Sequence, residues 1–141
     1  FERDTFPLIK SKYIDTGKAK VYFRQFPLPF HKNAQKAAEA SLCANAQGKF
    51  WDYHDKLYNN QEALSLGELK TYARDMGMDA QRFNKCLDGG EMERTVSEDL
   101  AAGTSAGVTG TPAFFINGIP LVGNQPFAKF EKVIDIELAN G

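Results

Sequence analysis

Cysteine is scarce in this chain: Cys43 and Cys86 are the only two, so no CxxC dithiol exists within the 141 residues. Thiols this far apart cannot act as a vicinal redox pair on one helical turn, and an even count by itself identifies no oxidising compartment. Histidine is equally sparse. His31 and His54 have no second ligand at metal spacing, which excludes the usual zinc arrangements and leaves no metal or other cofactor to be expected. Long apolar runs are also absent. The longest, such as residues 113–116 and 119–122, fall far short of the roughly 18 residues a membrane-crossing helix needs, so no membrane span is expected. Net charge is close to zero: 17 basic residues face 18 acidic ones, with the signs interleaved. That balance counts against nucleic acid or an anionic membrane as a partner. The first residue is Phe, and no basic and apolar leader resembling a signal peptide stands before the body of the chain. What is present suffices for one core, since 43% of the residues are hydrophobic, and residues 1–141 are expected to form a single domain.

Helical and strand signals follow one another clearly. Phe6, Ile9 and Tyr13 recur at helical spacing, with Gly17 as the stop, and Pro7 is compatible with that helix only in its first turn. The segment KVYFRQF, residues 20–26, is dense in aromatic and β-branched side chains and predicts a strand ended by Pro27 and Pro29. From His31 to Val108 only helix signals appear. Phe50, Tyr53, His54 and Leu57 define one helical face, and Leu66, Leu69, Ala73 and Met76 another, preceded by a capping box of Ser65 and Glu68. Asp79 can cap a helix that turns Phe83, Cys86 and Leu87 inward, and Met92, Val96 and Leu100 mark the next. Residues 113–116 and 119–122 then predict a hairpin across Asn117-Gly118, with Pro120 demanding an edge position. Pro126 suits the first turn of a final helix with Phe127, Phe130, Ile134 and Leu138 on one side.

Two segments carry a resemblance. GVTGTPAFFING, residues 107–118, closely resembles the cis-proline loop and following strand of DsbA-like proteins, and CANAQGKFWDYHDKLYNNQ, residues 43–61, resembles that family's helical insertion. The similarity extends from about Phe1 to the terminal helix. It implies an α/β, thioredoxin-like fold in which residues 1–30 and 107–141 form the thioredoxin part and 31–106 an all-helical insertion. It further implies a protein thiol-disulfide oxidoreductase acting in the periplasm or otherwise outside the cytoplasm, on extended cysteine-containing protein substrates. The resemblance also implies that Thr111 and Pro112 bind that substrate, in a loop whose cis X-Pro bond costs only about 0.5–1 kcal/mol.

In that family a strand and then CxxC stand immediately before the segment matching Phe1, and neither is in this sequence. The chain is therefore expected to lack its first strand, to hold no catalytic residue and to be inactive in disulfide exchange as it stands. A gap would open between the strand at 20–26 and the one at 113–116. Three outcomes follow: a strand taken from a partner or by self-association, re-pairing of the chain's own strands, or membership of a longer protein. A non-enzymatic peptide-binding or strand-borrowing module is one alternative function. An isomerase or glutathione-transferase branch, with serine in place of the cysteine, is another.

Cys43 and Cys86 remain open between a structural disulfide, two buried thiols and a redox pair. Cys43 lies mid-helix among alanines and Cys86 near a helix C-terminus, where the dipole disfavours a thiolate. His54 is expected to border the core. Asp52 and Asp55 beside it follow ordinary amphipathic patterning, and Phe50, Trp51, Tyr53 and Tyr58 are expected to be core.

Overall fold

A computed structural model describes all residues, 1–141, and divides them into two compact units, Phe1–Arg24 with Gly107–Gly141 and Gln25–Ala106. The first boundary falls at Arg24, earlier than the sequence reading of an insertion starting at residue 31.

In the first unit, helix α1 (Phe6–Ile9) has Pro7 in its opening turn, where the missing N–H has no intrahelical role. It continues as a π-helical turn over Lys10–Ile14. Lys18 and Ala19 then donate their N–H groups to the Tyr13 carbonyl at 2.8 and 3.0 Å, with Gly17 at φ 74°. Strands β1 (Ala113–Ile116) and β2 (Ile119–Val122) form an antiparallel hairpin in the register Ala113↔Val122 to Ile116↔Ile119. Asn117 and Gly118 sit at φ 49° and 84°, the two positive angles a tight twisted hairpin requires. Pro120 is tolerated because β2 has one neighbour only. Helix α7 (Phe127–Asn140) starts one position later than its signal, with Pro126 at the N-cap. Ile9, Tyr13, Phe130 and Ile134 make the core here, and Phe114, Ile116 and Leu121 from one face of the hairpin pack on it. The Phe1 ring closes this cluster, 4.4 Å from Phe114 and 5.4 Å from Phe130 between centroids. Leu138, expected inward, is exposed near the helix end.

One expected element does not form. Residues 20–26 run straight, with no turn or bend, but belong to no sheet, and the only ladder in the molecule is β1 with β2. The strand predicted there from aromatic and β-branched composition is not formed. A strand also needs a neighbour to receive its hydrogen bonds, and none lies beside it.

The second unit is entirely helical: α2 (Ala34–Asn45), α3 (Phe50–Tyr58), α4 (Leu66–Asp75), α5 (Ala80–Asp88) and α6 (Glu93–Ser105). The small side chains of Ala40 and Ala44 let α2 lie at the centre, where they join Tyr53, Leu57, Leu69, Ala73, Phe83 and Leu87 in one core. Ser65 and Glu68 form the capping box reciprocally, and Asp79 accepts from the Arg82 N–H at 3.0 Å. Gln47 clasps the same cap from α2's end: it accepts from the Asp79 N–H at 2.9 Å and donates to the Asp79 carbonyl at 3.1 Å. Leu66 is exposed, contrary to expectation, because the buried side of α4 is set by Leu69 and Ala73. Trp51 and Tyr58 are likewise exposed while Tyr53 is fully buried, so the aromatic run is only partly core.

Candidate functional site

The loop between α6 and β1 holds the two residues singled out for substrate binding. Gly107, at φ 89°, releases the chain from α6, and the Thr111–Pro112 peptide bond is cis. The Pro112 carbonyl accepts from the Gly123 N–H at 2.9 Å, which pins the loop to the far end of β2. Thr111 is exposed and Pro112 half-buried, and β1 begins at the next residue. The geometry offers a fixed, solvent-facing backbone at the start of a strand. By itself that can position an extended polypeptide; it supplies no nucleophile, acid or base.

Cys43 and Cys86 lie in the other unit and are joined to each other. The disulfide links α2 to α5 with Cα atoms 5.9 Å apart, and both residues are buried within the helical core. No free cysteine remains. Of the readings left open for this pair, the structure selects the cross-link. Neither sulfur is a thiolate and neither reaches solvent, so the pair does not substitute for a CxxC.

The histidines form no acid-base or metal arrangement. His54 is buried against the Phe50 and Tyr58 rings, and its Nδ1 lies 3.4 Å from an Asp55 oxygen, a long contact for a hydrogen bond. No three side chains among His, Cys, Asp and Glu converge.

Several polar contacts had no sequence signal, most of them because they join residues distant in the chain. Tyr13, fully buried, donates its hydroxyl to Asp135 on α7 at 2.6 Å. Burial first, then that carboxylate, pushes the Tyr13 phenol above its ordinary range. Next to it Lys12 and Glu131 form an ion pair, whose hydrogen bond raises the lysine. In the helical unit, buried Gln25 donates through Nε2 to Ser41 Oγ at 2.8 Å and through its backbone N–H to Asp99 at 2.9 Å. Glu39 is buried too, its carboxylate taking bonds from Gln35 at 3.2 Å and Lys36 at 3.1 Å on its own helix. These groups brace helices and loop ends.

Known proteins share this arrangement. Residues 1–136 match the family described as thioredoxin. The crystal structure of Wolbachia pipientis alpha-DsbA1 superposes with a TM-score of 0.85 at 28% identity, covering 99% of this chain and 78% of that one. A probable disulfide bond formation protein D of Bacillus cereus is 32% identical over 143 aligned positions, 94% of this chain and 64% of the relative. A Na(+)/H(+) antiporter, NhaA 3 of Salinispora tropica, is 34% identical over 113 residues, which are 79% of this chain but only 17% of the antiporter. The chain thus spans under a fifth of the antiporter it matches and somewhat less than two thirds of the Bacillus protein. With its hairpin following the Thr111–Pro112 loop and its helical unit between the two parts of the thioredoxin fold, the chain belongs to the DsbA-like thiol-disulfide oxidoreductase family.

Proposed function

We propose that this chain is the body of a DsbA-like protein thiol-disulfide oxidoreductase whose exchanging cysteines come from residues outside the 141 described here. In this reading it is one domain, with residues 1–30 and 107–141 as the thioredoxin part and 31–106 as the helical insertion. It works outside the cytoplasm on extended, cysteine-containing proteins that lie along the loop at Thr111–Pro112. The observation that carries the reading is the fate of the cysteines. Both are consumed in a buried cross-link of the helical unit, while the family match runs over residues 1–136, so a redox scaffold is present without a reactive dithiol. The test is oxidation of a dithiol peptide, with insulin reduction as the reverse assay. The chain alone should remain at the uncatalysed rate, and the same chain carrying its native upstream sequence should turn over. Turnover by the chain alone would overturn the proposal, as would an upstream sequence without cysteine.

A second reading, a non-enzymatic module that borrows a strand from a partner or from another copy, is favoured by one observation: the strand-like residues 20–26 belong to no sheet, and β1 has a single neighbour. Sedimentation across a concentration series tests self-association. A monomer throughout would refute self-association.

A further inference from the structure

The tip of the hairpin carries a reactive pair that neither substrate alignment nor the disulfide explains. Asn117 and Gly118 are exposed between β1 and β2. Glycine has no Cβ, so its backbone nitrogen is the least hindered one that can approach the side chain before it. A Cβ placed at Gly118 would meet nothing within 4 Å, and the Gly118 N–H donates to no acceptor in the chain. The Asn117 carboxamide is held only from α7, its Nδ2 donating to Glu137 Oε2 at 3.2 Å. An exposed bond of that length holds weakly.

Backbone geometry keeps the two groups apart. Asn117 lies in the left-handed region at φ 49°, where ψ is about +30 to +60°. At such ψ the Gly118 nitrogen stands nearly trans to the Asn117 Cβ across the Cα–C bond, so it cannot reach Cγ in any side-chain rotamer. Bringing it there takes a rotation of ψ by more than a right angle. That rotation unwinds the turn and the ladder pair next to it, Ile116↔Ile119. The turn that joins β1 to β2 is thus also the lock on its own chemistry.

We propose that Asn117 is a self-modification site gated by opening of the hairpin. In the opened turn the Gly118 nitrogen attacks Asn117 Cγ: the N–Cγ bond forms, the Cγ–Nδ2 bond breaks, and the proton of the attacking nitrogen leaves with the amide as ammonia. Water then opens the cyclic imide. Attack at Cγ gives aspartate and attack at the backbone carbonyl gives isoaspartate, with no oxidant or reductant needed. Either product opposes reclosure. Aspartate sets a carboxylate against the Glu137 carboxylate that had accepted the hydrogen bond, and like charges so placed repel. Isoaspartate adds a backbone carbon to a two-residue turn whose length fixes the register of the strands. The change is one-way, so the modified fraction records how long the hairpin has spent open.

The experiment incubates the whole chain at mildly alkaline pH beside a synthetic peptide of residues 112–123 and follows the amide-to-acid change at Asn117 by peptide mapping and mass spectrometry. An isolated hairpin is marginal in water, so the peptide gives the rate of the open turn. The folded chain should convert at the same residue at least about tenfold more slowly, since that factor requires only about 1.4 kcal/mol of opening free energy. Leu121→Ala withdraws a side chain from the core beneath the hairpin and should bring the folded rate several-fold toward that of the peptide. Graded urea below the unfolding midpoint gives the same readout on the unaltered chain should that variant not fold. On the product side, Asn117→Asp should speed hydrogen exchange of the β1 and β2 amides by about two- to fivefold, and adding Glu137→Gln should reverse the part due to charge. Equal rates in folded chain and peptide would overturn the gate, as would a folded rate indifferent to both Leu121→Ala and urea. No conversion at Asn117 in any sample of the chain, while the peptide converts, would overturn the site itself. Unchanged exchange in Asn117→Asp would overturn the opposition to reclosure.

Discussion

Breaking the Cys43–Cys86 bond is the perturbation for which the structure gives the firmest magnitude. The cysteines are separated by 43 residues, and a cross-link restricts the unfolded chain by an amount that grows with the logarithm of that loop. For a loop of this size the chain-entropy relation gives about 4 kcal/mol at 25 °C. Domains of this class retain only about 5–15 kcal/mol in all, so reduction should remove a large share of the stability. Both sulfurs are buried among Tyr53, Phe83 and Leu87, and reduction leaves two small apolar thiols in the same space. The loss is therefore assigned to the unfolded chain rather than to a cavity, and Cys43→Ala with Cys86→Ala should cost slightly more, since it also removes the sulfur contacts.

Urea unfolding with and without reductant measures this directly, read at constant slope so that a shift in midpoint is a shift in stability. A fall of about 4 kcal/mol corresponds to a melting temperature lower by roughly 10–20 °C. The effect should also be local. Because α2 and α5 belong to the helical unit, their amides should lose hydrogen-exchange protection before those of β1, β2 and α7. A loss below about 1 kcal/mol would refute the entropic argument. Equal loss of protection in both units would refute the assignment of the bond to one of them.

Other perturbations probe the first unit and the tyrosines. Tyr13→Phe removes the buried hydroxyl that donates to Asp135 at 2.6 Å; Asp135 is exposed and can be rehydrated, so chemical denaturation should show a loss of about 1 kcal/mol rather than the larger penalty of a stranded buried charge. Gly118→Ala adds a methyl group to open space but at φ 84°, so its cost, about 1–2 kcal/mol by thermal melt, should come from the left-handed backbone alone. Burial raises the phenols of Tyr13, Tyr53 and Tyr72 above the ordinary value of 10.0, with Asp135 adding to the shift at Tyr13. The folded state therefore holds those protons more tightly than the unfolded one. Their contribution to stability is complete below pH 10 and is lost as pH climbs through the raised values. Tyrosinate absorbance should show a late component that rises together with loss of helical signal; a single early step with the helices intact would contradict this.

Local chemistry was the most legible part of the sequence. The hairpin was readable to the residue because Asn117-Gly118 encodes both positive φ angles and the flanking apolar quartets encode β1 and β2. The capping box at Ser65 and Glu68 and the cap at Asp79 depend on side chains three residues apart, so they too are written locally. The disulfide was left open because spacing says nothing about which helices meet. Only the packing of α2 on α5 brings Cys43 to Cys86. Tyr13 to Asp135 and Gln25 to Ser41 were invisible for the same reason. Leu66 and Leu138 were misplaced because helical periodicity continues to the ends of a helix, whereas burial stops where the neighbouring element stops.

The candidate site divides along the same line. The Thr111–Pro112 loop could be read from one contiguous stretch, residues 107–118, because its shape is set by its own turns and by the strand it enters. The segment at 20–26 has a composition as strand-like as β1, yet it forms no strand, because pairing is a property of two segments and no strand lies beside it. Without that neighbour there is no hydrogen-bond ladder, and the Gln25 amide is satisfied instead by the Asp99 carboxylate at 2.9 Å. The cysteines follow the same rule, since Cys43 and Cys86 meet only where α2 packs on α5, and both are spent in that cross-link.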